Sequence, residues 1–370
     1  MLERKRAREY GVEIGRRPTG ELNAITDVGG VRVGHRTVVR DGGPGEGAVR
    51  TGVTAVFPHD GEPWEEPVYV GTHILNGYGE MIGINQLDEW GVLMSPVVLT
   101  SSLAIGKAYD ATAKWIATRD HEGAEADAVM PVVTECDDGF LNDAVSFPLA
   151  EEDVWAALDS ATGGPVKEGC VGSGTGMQCF DFKGGIGTSS RVLGTDVGGY
   201  TVGALVMTNY GDRPDLRIDG VPVGAGIADL MPEEHREGSC IVVVATDAPM
   251  LPHQVRRLAV RAGMGLARTG STASNGSGEL MLAFSTAQRL SSRSPDPVVE
   301  VRALRDGASW DAPAVISELF AATIEAVEEA VANALFTATT TVGRDGNVLH
   351  ALPIDRTLEI LERRGRPTTA

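Results

Sequence analysis

Arg236-Glu237-Gly238-Ser239-Cys240-Ile241-Val242-Val243-Val244-Ala245-Thr246-Asp247-Ala248-Pro249 is the stretch on which the reading of this chain turns. The apolar run from Cys240 to Ala245 is too short for a typical helix, and its β-branched valines suit a strand buried on both faces. Immediately upstream, residues 211–237 form the longest segment with little periodicity, acidic and punctuated by glycine and proline. A long irregular loop in a compact domain is usually functional or disordered. The Gly238-Ser239 step therefore sits where an irregular acidic loop meets a buried strand.

Working outward, further strand-like runs occupy Val31 to Val33, Gly52 to Phe57, Val92 to Leu99, Tyr200 to Thr208 and Leu280 to Phe284, each bounded by turn residues. Glycine accounts for 47 of 370 residues, well above a usual share of about 7%, so tight turns are expected between them. Helical spacing of three and four is clearest from Val315, through Ile316, Leu319, Phe320, Ile324, Val327, Val331 and Leu335, with Asp311 as N-cap and Pro313 in the first turn. A second helix is expected over Pro252 to Ala267, with Val255, Leu258, Ala259, Ala262 and Leu266 on one face, and a weaker one over Leu103 to Thr118. Strands and helices alternate loosely, with no Pro/Ser-rich linker or charge block between them. The expectation is one α/β domain over residues 1–370.

Composition narrows the function classes. Hydrophobic residues make up 42% and charged residues 22% of the chain, ordinary values for a globular protein. The longest apolar runs fall short of the roughly 20 residues that cross a bilayer, so no membrane span is expected. Glu3-Arg4-Lys5-Arg6 is followed by no apolar segment before the polar stretch 15–21, and a cytoplasmic location is expected. The net charge of −19 repels phosphate backbones, which argues against a nucleic-acid partner. Cys136, Cys170, Cys179 and Cys240 form no C-x-x-C pair, and only Cys240 has a histidine nearby, His235. With the seven histidines scattered, free thiols, no metal and no cofactor are expected.

Three motif searches fail. Gly172-Ser173-Gly174-Thr175-Gly176 matches neither G-x-G-x-x-G nor a P-loop, and reads as a turn needing positive φ. No serine sits in G-x-S-x-G, so the nucleophile elbow of α/β-hydrolases is missing. What remains is Gly238-Ser239. Taken alone, a Gly-Ser step before a strand reads as a turn. It also permits chemistry: glycine leaves its carbonyl open, the adjacent hydroxyl can attack it, and hydrolysis of the resulting ester frees Ser239 as a new N-terminus. Its α-amine, with an ordinary pKa of about 7.7–8.0, then serves as base to its own hydroxyl.

Other segments raise the weight of that reading. Gly270-Ser271-Thr272-Ala273-Ser274-Asn275-Gly276-Ser277-Gly278-Glu279 leads into an apolar strand; with Gly184-Gly185-Ile186-Gly187-Thr188-Ser189-Ser190-Arg191, Thr208-Asn209-Tyr210-Gly211 and Ile25-Thr26-Asp27-Val28-Gly29-Gly30-Val31-Arg32-Val33-Gly34-His35, it resembles the DmpA/BapA family. These are the S58 peptidases, comprising L-aminopeptidase/D-amidase-esterases and β-aminopeptidases, and the resemblance runs from about Leu22 to Leu352. It implies an αββα sandwich built jointly by two autocleavage fragments, residues 1–238 and 239–370, and a homo-oligomer, a tetramer of cleaved pairs. It implies Ser239 as nucleophile and cleavage site, Ser277 and Glu279 as the groups that orient and tune it, and Asn209 as a donor to the oxyanion or substrate. The resemblance also implies a departure, since relatives often carry a tyrosine where this chain has Phe140, a hydroxyl missing here. Some relatives further carry a secretory leader.

The expected activity is removal of an N-terminal L-, D- or β-residue from small peptides, amides or esters. An ammonium entering a partly desolvated pocket needs a carboxylate. Glu135 is the expected anchor, at the end of an apolar run from Val129 to Thr134, with Asp137 and Asp138 as competitors. Rival readings are an amidase of the nylon-oligomer hydrolase type and an acyltransferase of the ornithine acetyltransferase type, both resembling threonine-nucleophile enzymes. A glycine-rich binding protein with an intact Gly238-Ser239 bond is the non-enzymatic rival.

Overall fold

In the computed structural model, which describes residues 4–43, 45–119, 129–234, 238–305, 315–366 and 368, the apolar runs become strands. In chain order they are β1 (Arg32–Arg40), β2 (Val49–Phe57), β3 (Val68–Gly77), β4 (Met81–Ile82), β5 (Val92–Leu93), β6 (Val97–Ser101) and β7 (Val132–Cys136). A small hairpin, β8 (Gln178–Cys179) and β9 (Phe182–Lys183), precedes β10 (Ile186–Val192), β11 (Thr201–Asn209), β12 (Ser239–Thr246) and β13 (Gly278–Arg289). The first sheet has the order β1-β2-β6-β7-β4 and the second β10-β11-β12-β13-β3-β5. Each is mixed, with β6 parallel to β7 and β12 parallel to β13.

Side chains alternate along a strand, and that period sorts the apolar residues into layers. Ile241, Val243 and Ala245 point from β12 toward the first sheet and meet Val97, Leu99 and Val132. Cys240, Val242 and Val244 point the other way, onto helices α4 (Pro252–Arg268) and α5 (Val315–Thr337). Helix α1 (Ile84–Trp90) joins β4 to β5, while helices α2 (Ile105–Ala117) and α3 (Glu151–Asp159) cover the outer face of the first sheet, with Trp115, Val154 and Leu158 in one cluster with Val53 and Val133. The result is the αββα sandwich that the resemblance implied.

Several local expectations need correction. Val92 to Leu99 is not one strand but two, β5 and β6, which lie in different sheets. Pro96 has no N–H to donate to a ladder, and the chain changes sheet across Met94-Ser95-Pro96. Glu135 lies inside β7 rather than beyond a strand ending at Thr134. The expected helix caps Asp311 and Pro313, and His235 to Glu237 of the long loop, lie outside the described residues. The described rest of that loop holds short 3-10 turns at Arg213–Asp215 and Gly224–Gly226 and an isolated bridge between Ile218 and Val221. The glycine cluster is a turn, with Gly172 at φ 52°. All four cysteines are free thiols.

Helix α5 is buried nearly all round, between the second sheet, α4 and the N-terminal segment. Gly187 lets β10 approach it, since a Cβ there would lie 1.9 Å from the Ala330 carbonyl oxygen. Three of its carboxylates are buried as well, and all are paired, Glu328 with Arg268 Nε at 2.9 Å. Arg191, fully buried, meets Glu329 Oε2 at 2.7 Å and Glu325 Oε2 at 3.3 Å. Arg8 reaches Glu329 Oε1 at 2.7 Å and Arg17 reaches Glu325 Oε1 at 2.7 Å. The N-terminal segment is thereby clasped to α5 by charge as well as by packing.

Burial works to raise the Glu329 carboxyl, but the bonds from Arg8 and Asn23 and the charge of Arg191 outweigh it and hold the group below its ordinary value. A carboxyl depressed in the folded state stabilises above its unfolded pKa, and that stabilisation is lost as pH falls through the folded one. Glu329→Ala leaves Arg191 buried without its main counter-charge, and we expect a loss of about 3–5 kcal/mol in urea unfolding at neutral pH. The gap between variant and native protein should narrow in acid, below the ordinary carboxylate range.

Candidate active site

Ser239 is the first residue of β12, an interior strand, with Asn209 of β11 opposite it on one side and Gly278 of β13 on the other. It shares the face of Ile241, toward the first sheet, and is 7% exposed. The two flanking glycines are dictated by crowding. A Cβ on Gly238 would lie 1.5 Å from the Asn209 carbonyl oxygen, and one on Gly278 would lie 2.4 Å from the carbonyl oxygen of Tyr78. Close approach of the Asn209 main chain accounts for Gly238. The Gly278 N–H donates to the Gly238 carbonyl oxygen at 3.2 Å, so a donor is already aimed at the carbonyl beside the serine.

Asn209 lies on the same face as Ser239. Its Oδ1 accepts from the Gln178 N–H at 3.1 Å and its Nδ2 donates to the Asp137 carbonyl at 2.8 Å. These bonds lock the amide, and the second Nδ2 hydrogen remains available close to Gly238. Ser277 and Glu279 form a separate pair, the Ser277 hydroxyl donating to Glu279 Oε1. Glu279 stands beside Cys240 in the ladder and shares the face of Met281, so its carboxyl is on the helix side of the sheet, opposite to the Ser239 side chain. Its Oε2 is buried without a hydrogen-bond partner among the described residues. Burial lifts this carboxyl above its ordinary range, the Ser277 hydroxyl opposing.

A cavity of about 350 Å³ opens on Ser239, and Tyr78, Ser102, Glu135, Asp137 and Gly276 help to line it. A larger apolar hollow of about 820 Å³ lies by Trp90, Met94 and Met130, but none of the sequence-predicted site residues reaches it. Glu135 is 6% exposed; its Oε1 accepts from the Glu80 N–H at 2.9 Å and its Oε2 from the Ser102 hydroxyl. Burial raises the Glu135 carboxyl, the two hydrogen bonds pull it back, and the charges of Asp137 and Glu80 push it further up.

The three acids singled out in the sequence thus separate. Glu135 and Asp137 line the cavity. Asp138 is buried in the turn, accepting from Ser101 Oγ at 2.7 Å and Asn142 Nδ2 at 2.9 Å, and burial raises its carboxyl to about 6. Phe140 packs with Leu141 and Leu349 and is not among the described residues that line the cavity. A phenol stands at the cavity from elsewhere, on Tyr78, which is 74% exposed. Tyr78 and Ser102 escaped the sequence reading; the only local hint was Tyr78 bracketed by Gly77 and Gly79.

The sequence profile of peptidase family S58 matches residues 23–349. The chain is 42% identical to the beta-peptidyl aminopeptidase BapA of Sphingosinicella microcystinivorans, over 100% of this chain and 94% of that one. Its structure superposes on a Burkholderia sp. beta-aminopeptidase with a TM-score of 0.90 at 42% identity, covering 98% of this chain and 100% of the other. It superposes equally on the L-aminopeptidase D-Ala-esterase/amidase of Ochrobactrum anthropi, described as a prototype of the serine aminopeptidases and a variant of the Ntn hydrolase fold, with a TM-score of 0.91, 41% identity and 99% of each chain covered.

The Ser102 hydroxyl bonds the charged form of Glu135, so removing it should raise the Glu135 pKa by an amount worth about 1 kcal/mol. Carboxyl-carbon NMR titration of Ser102→Ala against the native protein reads this directly. An unchanged midpoint would mean that the bond contributes nothing to the state of Glu135.

Proposed function

The chain belongs to peptidase family S58, the serine aminopeptidases with an N-terminal nucleophile, and from that premise we propose that it cuts itself between Gly238 and Ser239 and then uses Ser239 to release a residue bearing a free amine from a small peptide, amide or ester. The observation that carries the first half is the Gly278 N–H bonded to the Gly238 carbonyl oxygen. As the Ser239 hydroxyl adds to that carbonyl, negative charge grows on an oxygen that already has a fixed donor, the arrangement that stabilises such charge most economically. The new C–O bond forms, the Gly238–Ser239 C–N bond breaks, and the serine proton passes to the departing nitrogen. Water then splits the ester, leaving a carboxylate on Gly238 and restoring the hydroxyl.

The freed α-amine can take the proton of its own hydroxyl near neutral pH. Before the cut, Glu279 is a buried carboxyl whose Oε2 is unpartnered and whose pKa burial raises. In our reading the ammonium formed at Ser239 becomes its counter-charge, relayed through Ser277, and the carboxylate steadies that ammonium as the hydroxyl attacks substrate. Asn209, with a free amide hydrogen near Gly238, donates to the substrate oxyanion. Glu135 receives the substrate ammonium: it is the buried carboxylate of the cavity, and an ammonium relieves the cost of its burial. That carboxylate favours free-amine substrates over the internal amide bonds of a nylon-oligomer hydrolase. We extend the reading to β-aminoacyl as well as L- and D-aminoacyl substrates on the names of the relatives, and include in it a homo-oligomer of cleaved pairs in the cytoplasm.

Intact mass of the purified protein should show two fragments, residues 1–238 and 239–370, the second beginning Ser-Cys-Ile-Val. Ser239→Ala should remain one chain and be inactive, because attack on Gly238 and attack on substrate use the same oxygen. A single uncut chain that hydrolyses aminoacyl p-nitroanilides would overturn the mechanism.

Glu135→Gln should raise KM for free-amine substrates roughly tenfold or more, the value of a charge-assisted bond in a desolvated site, while leaving autocleavage intact. Acetylating the substrate amine should cost the native enzyme heavily and the variant little. Equal rates on free and acetylated substrates would return the assignment to an amidase that ignores the amine.

A further inference from the structure

The cavity on Ser239 has two acidic side chains in its wall, while an ordinary N-terminal residue brings one ammonium. Glu135 and Asp137 both line it, and among the described lining residues none is a lysine, arginine or histidine. The two acids lie two residues apart at the end of β7, with Cys136 between them packed toward the second sheet. Both face the same cavity, Glu135 from the strand and Asp137 from the residue just beyond it. Asp137 is exposed where Glu135 is buried. Its backbone carbonyl is held by Asn209 Nδ2 at 2.8 Å, and its Oδ1 accepts from the Gly139 N–H at 2.9 Å. The carboxylate is therefore placed rather than floppy, and Oδ2 keeps its acceptor capacity.

From this we infer that Asp137 is a specificity-determining residue that selects substrates whose N-terminal residue carries a second cation, such as lysyl, ornithyl, arginyl or their β-homologues. The inference rests on Glu135 as the anchor of the first ammonium. A singly charged substrate neutralises Glu135 and leaves the Asp137 carboxylate unpaired at the solvent-facing side of the cavity; a side-chain ammonium or guanidinium pairs with it. The spans agree. Cα atoms two residues apart in a chain stand at most about 7 Å from each other, and the two nitrogens of an extended ornithyl or lysyl residue are separated by roughly 6–7.5 Å at ordinary bond lengths. Tyr78, at the same cavity, offers an aromatic face along which an aliphatic stem with a cationic end can lie.

The net charge of −19 attracts every cation, so the test must separate a local carboxylate from a general field. Lysyl and norleucyl p-nitroanilides have nearly the same stem and differ in the terminal charge. In the native enzyme at 0.15 M salt, kcat/KM for lysyl should exceed that for norleucyl by about three- to fivefold, the worth of an exposed ion pair. Asp137→Asn, which retains an acceptor for the Gly139 N–H, should abolish most of that preference through the KM of the lysyl substrate, and Asp137→Glu should retain most of it. Intact mass showing normal cleavage of the variant excludes a folding defect. No lysyl preference in the native enzyme, or a ratio unchanged by Asp137→Asn even if both rates fall, would overturn the inference. Failure of Glu135→Gln to weaken norleucyl binding would instead overturn the anchor assignment, and the two outcomes are read on different substrates.

Discussion

The pairing of β12 between β11 and β13 is the constraint from which the rest of the molecule follows. A strand held by main-chain hydrogen bonds on both edges has little freedom to move, and its first residue inherits that rigidity. Ser239 is that residue. The same pairing brings Asn209 to one side of it and the Gly278 N–H to the other, and it leaves room only for glycine at 238 and 278. A site built at the head of an interior strand gains the precision that chemistry needs without requiring a strained loop. The cavity is then completed from the other sheet, whose β6 and β7 end at the same level and contribute Ser102, Glu135 and Asp137.

The second sheet is composed of segments from before and after residue 238, and they alternate: β10 and β11 precede it, β12 and β13 follow it, and β3 closes on β13. Neither part of the chain has a complete core without the other. The buried cluster of Arg8, Arg17, Arg191, Glu325 and Glu329 repeats that arrangement in charges, with every arginine from the earlier part and both glutamates from α5. Burying ion pairs is costly unless geometry and hydrogen bonding are good, and Arg191 meets the condition with further bonds to the carbonyls of Ile14 and Ser190. Such a cluster would hold the fragments together after the proposed cut.

How much of this could be read from the residues differs by element. The valine run after Ser239 and the three-and-four spacing of α5 are strong local signals, and both elements appear where they were expected. Helix α3, Glu-Glu-Asp-Val-Trp-Ala-Ala-Leu-Asp, is short and half acidic, and it buries only a narrow stripe, so its periodicity went unseen. Val92 to Leu99 is apolar throughout, and local patterning could not show that Pro96 marks a change of sheet. Glu135 stood out at the end of an apolar run that opens a turn, with Asp137 and Asp138 as its rivals, and tertiary structure sorts the three, leaving Glu135 and Asp137 at the cavity. Tyr78 and Ser102 were not legible, since they come together through turns whose positions depend on tertiary packing. The roles of Asn209, Ser277 and Glu279 came from family likeness; the fold puts Asn209 opposite Ser239 but sets the Ser277 and Glu279 pair on the far face of the sheet.

The two-sided pairing of β12 also bears on timing. During synthesis the first partner, β11, emerges before Ser239, but the second partner, β13, and the glutamates of α5 emerge well after it. A chain still being made, or one ended early by a broken message, has the serine and its preceding glycine without the N–H that faces the carbonyl. On the proposed route such a product would lack the donor that the cut uses and would stay whole. Self-cutting by that route waits until translation has passed Gly278 and β13 has paired with β12.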